Sequence, residues 1–146
     1  MFDPINLLVP QVTNGNPASA YVDMSQGHLA QITIHVTKGN AALTSFALEQ
    51  ATTAGGAGNK PFANTVPIWS NLNTGASDTL VRRADAVLYA LDNANDGRGQ
   101  IVRFLIDPSV MDVNGGFRFM RFQTAAGDAG NLAAATIAFA PKRYQS

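Results

Sequence analysis

Hydrophobic and polar residues alternate along several short segments of the chain, which is the pattern of half-buried β-strands. Residues 31–36 show it most clearly, with β-branched side chains at every second position: Ile32, Ile34 and Val36. Residues 42–51 alternate in the same way, and Lys38-Gly39-Asn40 between the two segments is typical of a turn. We therefore expect these two segments to form a β-hairpin.

Further strands are expected in the C-terminal half, because apolar residues again occupy alternate positions there. These strands cover residues 101–106, 117–122 and 132–140, and Asp107-Pro108 ends the first of them. The second strand contains a group of phenylalanines, of which at least two are expected to face the core: Phe117, Phe119 and Phe122.

Two segments in the middle of the chain are harder to assign. Residues 62–69 alternate, but Pro67 would confine this strand to a sheet edge or a bulge. Residues 79–91 fit an amphipathic helix with Asp78 at the N-cap position, and they also fit a strand. The expected strands on either side favour a strand here, with a helix as the alternative.

Turn-rich segments separate these strands, and Glu, which is common on helix surfaces, occurs once, at Glu49. We predict an all-β fold: an antiparallel β-sandwich of jelly-roll type with about eight strands and extended terminal arms. The expected organisation is an N-terminal arm or edge strand at residues 1–18, a sandwich domain at 19–141 and a C-terminal tail at 142–146.

Composition excludes several classes of protein. The 10 basic and 10 acidic residues cancel, and charged residues make up 14% of the chain, against about 25% in an average domain. A protein that binds nucleic acid by neutralising phosphates is therefore not expected. Cysteine is absent, which excludes disulfides and thiolate sites. The chain contains no run of about 18 apolar residues, so no membrane span is expected. The first residues do not resemble a signal peptide.

No group of residues predicts catalysis or metal binding. His28 and His35 are an odd number of positions apart, so a strand would place them on opposite faces. Residues 92–97 resemble the start of a calcium-binding loop, but Ala94 and Arg103 stand where oxygen ligands are required. We expect a protein that is not an enzyme and has no catalytic residue, no cofactor and no metal ion.

The two ends of the chain are the candidate partner-binding segments. The N-terminal arm is bounded by Pro4 and Pro10 and contributes five apolar candidates: Phe2, Ile5, Leu7, Leu8 and Val9. This arm either forms the first strand of the domain's own sheet or adds a strand to a neighbouring subunit. The C-terminal tail contributes Arg143 and Tyr144, a cation beside an aromatic ring.

Several strings taken together resemble the small capsid cement, or head-decoration, proteins of tailed bacteriophages, in particular the podovirus type seen in Bordetella phage. They span most of the chain: INLLVPQ at the start, AYVDM at 20–24, FALEQATTAGG at 46–56, VPIWSNLNTGASDTLVRR at 66–83, VRFLIDPSVMDVNGGFRFMRF at 102–122 and APKRY at the end. These strings are strand and turn sequences without a catalytic signature.

The resemblance implies a jelly-roll protein that binds the outer surface of an icosahedral head, bridges major capsid proteins and stabilises the shell. The partners it implies are the phage major capsid protein and further copies of this chain, with no nucleic acid and no membrane. The location it implies is the virion surface, after synthesis in the host cytoplasm. The alternative is a carbohydrate-binding jelly-roll module, although Trp69 is the single Trp and the tyrosines lie far apart in sequence. A small sandwich hydrolase is the enzymatic alternative.

Overall fold

Eleven β-strands and two 3₁₀ turns form the part of the chain that the structure describes. The computed structural model describes residues 4–39, 44–91 and 97–141. The strands are β1 (Ile5–Val12), β2 (Val22–Asp23), β3 (Gly27–Lys38), β4 (Thr44–Ala51), β5 (Lys60–Pro61), β6 (Val66–Asn71), β7 (Val81–Ala86), β8 (Leu88–Leu91), β9 (Arg98–Ile106), β10 (Phe119–Ala125) and β11 (Asn131–Pro141). The 3₁₀ turns span Met24–Gln26 and Pro108–Val110. Within these ranges, no helix is long and apolar enough to cross a membrane.

The strands form two antiparallel sheets. The six-stranded sheet has the order β1-β11-β3-β9-β6-β7, and the five-stranded sheet contains β2-β10-β4-β5. The fifth member of the second sheet is β8, which pairs with the first half of β4, while β5 pairs with its second half. Strands that follow one another in the chain mostly alternate between the two sheets. Among the described strands, the exceptions are the pairs β4–β5 and β6–β7, whose members lie in the same sheet.

One hydrophobic cluster joins the inner faces of the two sheets. Both sheets contribute members that are 1% exposed or less, among them Ile32, Ile34, Val102, Phe104 and Ile106 from the six-stranded sheet, and Phe46, Leu48, Met120 and Phe122 from the five-stranded one. Burial of these side chains is the main force that holds the sheets face to face. The predicted all-β antiparallel sandwich is confirmed, and the jelly-roll type stays a prediction.

Several predicted strands are confirmed. Residues 31–36, 101–106 and 132–140 lie in β3, β9 and β11. Residues 79–91 form strands rather than a helix, with β7 in one sheet and β8 in the other. More strands occur than the predicted eight, partly because β2 and β5 have two residues each, too few for an alternating pattern.

The irregularity expected at Pro67 is also confirmed. The pairing of β6 with β7 shifts register between Val66 and Ile68. The pairing of β6 with β9 begins at Ile68. Proline has no backbone N–H to donate to a neighbouring strand, so its place in an internal strand is at such a shift.

The predicted hairpin between residues 31–36 and 42–51 is wrong. β3 lies between β11 and β9 in the six-stranded sheet, whereas β4 lies beside β10 in the five-stranded sheet. Both strands bury one face in the same core, so both show alternation. Alternation indicates which face of a strand is buried, but it does not distinguish neighbours within one sheet from strands of two packed sheets.

The prediction that at least two of the three phenylalanines face the core is wrong as well. Phe122 is fully buried, while Phe117 and Phe119 are half-buried. The inward face of β10 consists of residues at even positions: Met120, Phe122 and Thr124. Because side chains alternate across a regular strand such as β10, two of its residues an odd number of positions apart cannot share a face.

The N-terminal segment forms an edge strand of the domain's own sheet. β1 pairs antiparallel with β11, with register irregularities after Asn6 and after Leu8. Leu7 and Leu8 are 7% and 3% exposed and belong to the hydrophobic cluster. This segment therefore contributes buried apolar surface to the domain, which a separate arm would not do.

Candidate functional site

The outer face of the six-stranded sheet is built from the alternate positions of its central strands. Strand register places small and apolar side chains side by side on this face. Gln31 of β3 lies opposite Leu105 of β9 and Ala138 of β11. His35 lies opposite Ile101 and Ala134 in the same way.

Three open grooves run over this outer face. A groove of about 330 Å³ is lined by Leu29, Ala30, Gln31, Leu105, Ala138 and Ala140. A second, of about 320 Å³, shares Gln31 and Leu105 with the first and adds Trp69, Leu80 and Arg103. A third, of about 440 Å³, lies nearer the other end and includes Pro10, His35, Ile101, Leu132 and Ala134. The three grooves make this face a broad, shallow and largely apolar surface.

Arg103 carries the one fixed charge on the outer face of the described parts of β3, β9 and β11. Its register partners are Thr33 on one side and Trp69 on the other. The Nε atom of Arg103 is buried, and its N–H donates to no acceptor in the described part of the chain. A buried donor without a partner is uncommon, because it has lost water without gaining a hydrogen bond.

Trp69 is the aromatic residue of this face. The guanidinium carbon of Arg82 lies 4.8 Å from the centre of its ring, in a cation–π contact. Arg82 also pairs with Asp85 and donates to the carbonyl of Ile68. The charge of Arg82 is therefore satisfied within the chain, unlike the Nε–H of Arg103.

The outer face of the five-stranded sheet has the opposite character. It carries charged side chains that pair with one another: Lys60 with Asp112 at 2.7 Å, Arg118 with Asp23 at 3.0 Å, and Arg121 with Glu49 at 2.7 Å. The same three cations lie over aromatic rings of this face: Phe117, Phe119 and Tyr21 respectively. The charged side chains of these three pairs are satisfied within the chain and are partly exposed to solvent.

Two carboxylates of these pairs have shifted pKa values. The hydrogen bond from Lys60 and that from the backbone N–H of Gly115 hold the pKa of Asp112 below its usual range. Burial raises the pKa of Asp23, but hydrogen bonds from Ser25 and the guanidinium of Arg118 outweigh it, and the pKa is lowered. Both carboxylates are therefore stabilised as anions in the folded state.

The two edges of the six-stranded sheet also differ in character, since the β1 edge is apolar and the β7 edge carries arginines. At the β1 edge, Ile5 is 40%, Val9 59% and Val12 43% exposed. At the opposite edge, β7 carries Arg82 and Arg83, and Arg83 donates to the hydroxyl of Ser70 at 2.7 Å. The apolar edge is continuous with the outer face through Pro10, which lines the third groove.

The candidate binding residues predicted from the sequence are only partly brought together. Of the arm, Ile5 and Val9 are exposed, whereas Leu7 and Leu8 point into the core. Phe2, Arg143 and Tyr144 lie outside the described residues. The predicted candidates do not include Arg103 or Gln31. The position of Arg103 between Val102 and Phe104 indicates in the sequence that its side chain points outward. That the described residues provide no counter-charge for Arg103 is visible only in the folded sheet.

Within the described ranges, no group of three or more His, Asp or Glu side chains could hold a metal ion. The Nδ1 atom of His28 lies 2.9 Å from the carbonyl oxygen of Pro141, while His35 is exposed on the outer face. Most of the segment that resembles a calcium loop, residues 92–96, lies outside the described part of the chain.

Comparison with known proteins assigns no family. No family model and no curated protein matches the chain. Among solved structures, the SPBc2 prophage-derived protein YomS has a TM-score of 0.48 and 9% identity over 94% of this chain and 92% of that protein. A Bacteroides thetaiotaomicron protein described as a candidate sugar-binding protein has a TM-score of 0.33 and 8% identity over 88% of this chain and 66% of that one. Likenesses this distant carry no argument about function, which has to rest on the residues of this chain.

Proposed function

We propose that this protein is a structural protein of a bacteriophage virion, a cement or decoration protein of the head. In this role it binds the outer surface of the capsid, bridges neighbouring major capsid subunits and stabilises the shell. The resemblance of sequence strings across most of the chain to phage cement proteins supports the proposal. A strand-rich domain with an apolar outer face is suited to adhesion.

The observation that carries the proposal is the contrast between the two outer faces. The five-stranded sheet presents ion pairs that are complete within the chain. The six-stranded sheet presents a broad face lined by Leu29, Leu105, Ala138 and Ala140, with Arg103 as its one fixed charge on the central strands. Depletion of charged residues distinguishes the centre of protein interfaces from the rest of a protein surface. The six-stranded sheet is therefore the proposed docking face.

The apolar edge of β1 is a second proposed contact. Ile5 and Val9 are exposed on β1, and the outer edge of β1 has no neighbouring strand among the described residues. A free edge can pair with a strand of a capsid subunit or of another copy of this chain. Phe2, Arg143 and Tyr144 remain proposed contacts of the two ends.

Stabilisation would follow from mass action. A protein that binds the assembled shell, and not its separated subunits, shifts the equilibrium towards the shell. Because the contact is repeated over the lattice, each copy can bind weakly while the whole set prevents disassembly.

The test is co-sedimentation with expanded shells assembled from the major capsid protein of the same phage. The informative variant is Ala138→Glu, which puts a charge into the first groove of the docking face. Its matched control is Ala47→Glu, at an outer position of β4 in the other sheet that is also half-buried. Circular dichroism and thermal melting establish that both variants are folded.

We expect the unmodified protein and Ala47→Glu to sediment with the shells. Ala138→Glu should bind at least about tenfold more weakly, because an unpaired charge in an interface is strongly unfavourable. Failure of the unmodified protein to bind shells would refute the proposed function. Equal binding by all three proteins would refute the assignment of the docking face.

A carbohydrate-binding module is the second candidate, because Trp69 lines a groove together with the amide side chain of Gln31. The two other tyrosines in the described ranges do not extend this platform: the Tyr89 hydroxyl lies 2.9 Å from that of Ser70, and Tyr21 packs beneath Arg121 in the other sheet. A thermal-shift screen against glycans and calcium separates the two functions. A rise in melting temperature with a glycan would favour the module, and a cement protein should give no response.

A further inference from the structure

Arg103 is placed so that its charge lacks a counter-charge within the described part of the chain. It is half-buried at the centre of the outer face of the six-stranded sheet, between Thr33 and Trp69 in the strand register. Its buried Nε–H has no acceptor among the residues that the structure describes. Partial removal of a cation from water without a counter-charge is unfavourable. An anion that reaches the guanidinium from the outer face would supply the missing counter-charge.

The groove around Arg103 indicates what kind of anion fits. Its walls are apolar at Leu80 and Leu105 and aromatic at Trp69, and Gln31 adds an amide that can donate a hydrogen bond. An anionic group on a short aliphatic stem would contact the walls with its stem and the guanidinium with its oxygens. The planar fork of Arg matches the two oxygens of a carboxylate.

We propose that Arg103 binds an Asp or Glu carboxylate on the surface of the capsid subunit that docks on this face. This inference rests on the proposed function and names the chemistry of the partner's central contact. A protein carboxylate fits better than a small free anion, because the groove is open and continuous with the neighbouring groove through Gln31 and Leu105. The occupant therefore has to cover a wide apolar area around the one charge, as a protein surface does.

The experiment measures shell binding of two variants over a range of salt concentrations. Arg103→Gln removes the charge, and Arg103→Lys keeps the charge but loses the planar fork. The matched control is Arg118→Gln, which removes an arginine from the outer face of the other sheet, where it pairs with Asp23. Thermal melting of each free protein is measured in parallel.

We expect Arg103→Gln to bind shells at least about tenfold more weakly than the unmodified protein and with a flatter dependence on salt. Arg103→Lys should bind with intermediate affinity, and Arg118→Gln should bind as the unmodified protein does. The melting temperature of free Arg103→Gln should stay the same or rise, because the variant removes an unpaired charge from a half-buried position.

The other outcomes separate this inference from the proposed function. Full binding by the unmodified protein and by Arg103→Gln, with equal salt dependence, would overturn the carboxylate contact and leave the docking function in place. A marked drop in the melting temperature of Arg103→Gln would show a structural role for Arg103 and would also overturn the inference. No binding by the unmodified protein would overturn both.

Discussion

The rings of Phe46 and Phe122 lie with their centres 5.3 Å apart and their planes tilted by 31°. Phe46 lies opposite Thr124 in the pairing of β4 with β10, so the two rings are diagonal neighbours on the inner face of the five-stranded sheet. Both are fully buried against the other sheet. This aromatic pair links the two longest strands of the smaller sheet at the centre of the core.

Loss of the Phe122 ring should be far more damaging than loss of the nearby Phe119 ring. Phe122→Ala should lower the free energy of unfolding by about 3 to 5 kcal/mol, because the buried ring leaves a cavity beside Phe46. Phe119→Ala removes a half-buried ring from the outer face and should cost less than about 1.5 kcal/mol. Urea denaturation followed by circular dichroism measures both. Equal losses would contradict the inward orientation of Phe122.

Gly56 should tolerate a side chain less well than Gly116. Their φ angles are similar, +86° and +81°, so alanine at either site should cost about 1 to 2 kcal/mol in backbone strain. A Cβ on Gly56 would also come within 2.6 Å of the ring of Tyr21, whereas a Cβ on Gly116 would meet no atom within 4 Å. Gly56→Ala should therefore cost about 1 kcal/mol more than Gly116→Ala. Chemical denaturation of the two variants decides this, and identical losses would mean that Tyr21 does not pack there.

Asp112 should stabilise the protein at neutral pH and lose this effect in acid. Its pKa in the folded state lies below the ordinary value of 3.8. Its contribution to stability is therefore present above about pH 4 and is lost as the pH falls through the lowered folded-state pKa. Asp112→Asn should melt at a lower temperature than the unmodified protein at pH 7, and the difference should shrink below pH 4. A difference that stays constant between pH 2 and pH 7 would contradict the ion pair with Lys60.

Two adjacent residues of β1 should separate stability from binding. Leu8→Ala removes a side chain that is 3% exposed and should cost about 2 to 5 kcal/mol in unfolding free energy. Val9→Ser changes a side chain that is 59% exposed and should leave thermal melting nearly unchanged. If the β1 edge contacts the capsid, Val9→Ser should weaken shell binding in the co-sedimentation assay. Unaltered stability of Leu8→Ala would show that β1 is a separate arm after all.

The sequence pattern of the N-terminal segment predicts that it is covered by other residues, but not by which ones. Its apolar character and its bounding prolines indicate that it has to be covered by other residues, and either the domain's own sheet or a neighbouring subunit could do so. The structure pairs it with β11 and buries Leu7 and Leu8 in the core. That choice depends on β11, more than a hundred residues away in the chain, and no local pattern contains it.

The two-residue period of a strand is a local property, so the pattern along the chain is enough to predict the β class and inward residues such as Ile32, Ile34 and Val36. The same period indicates an outer position for Arg103, because its neighbours Val102 and Phe104 are buried in the core. No local pattern contains the placement of β3 and β4 in different sheets, or the pairing of Arg103 with Thr33 and Trp69 in the strand register. Strand partners are selected by long-range packing of the whole core, so the neighbours of an outer side chain become defined only when both sheets have formed.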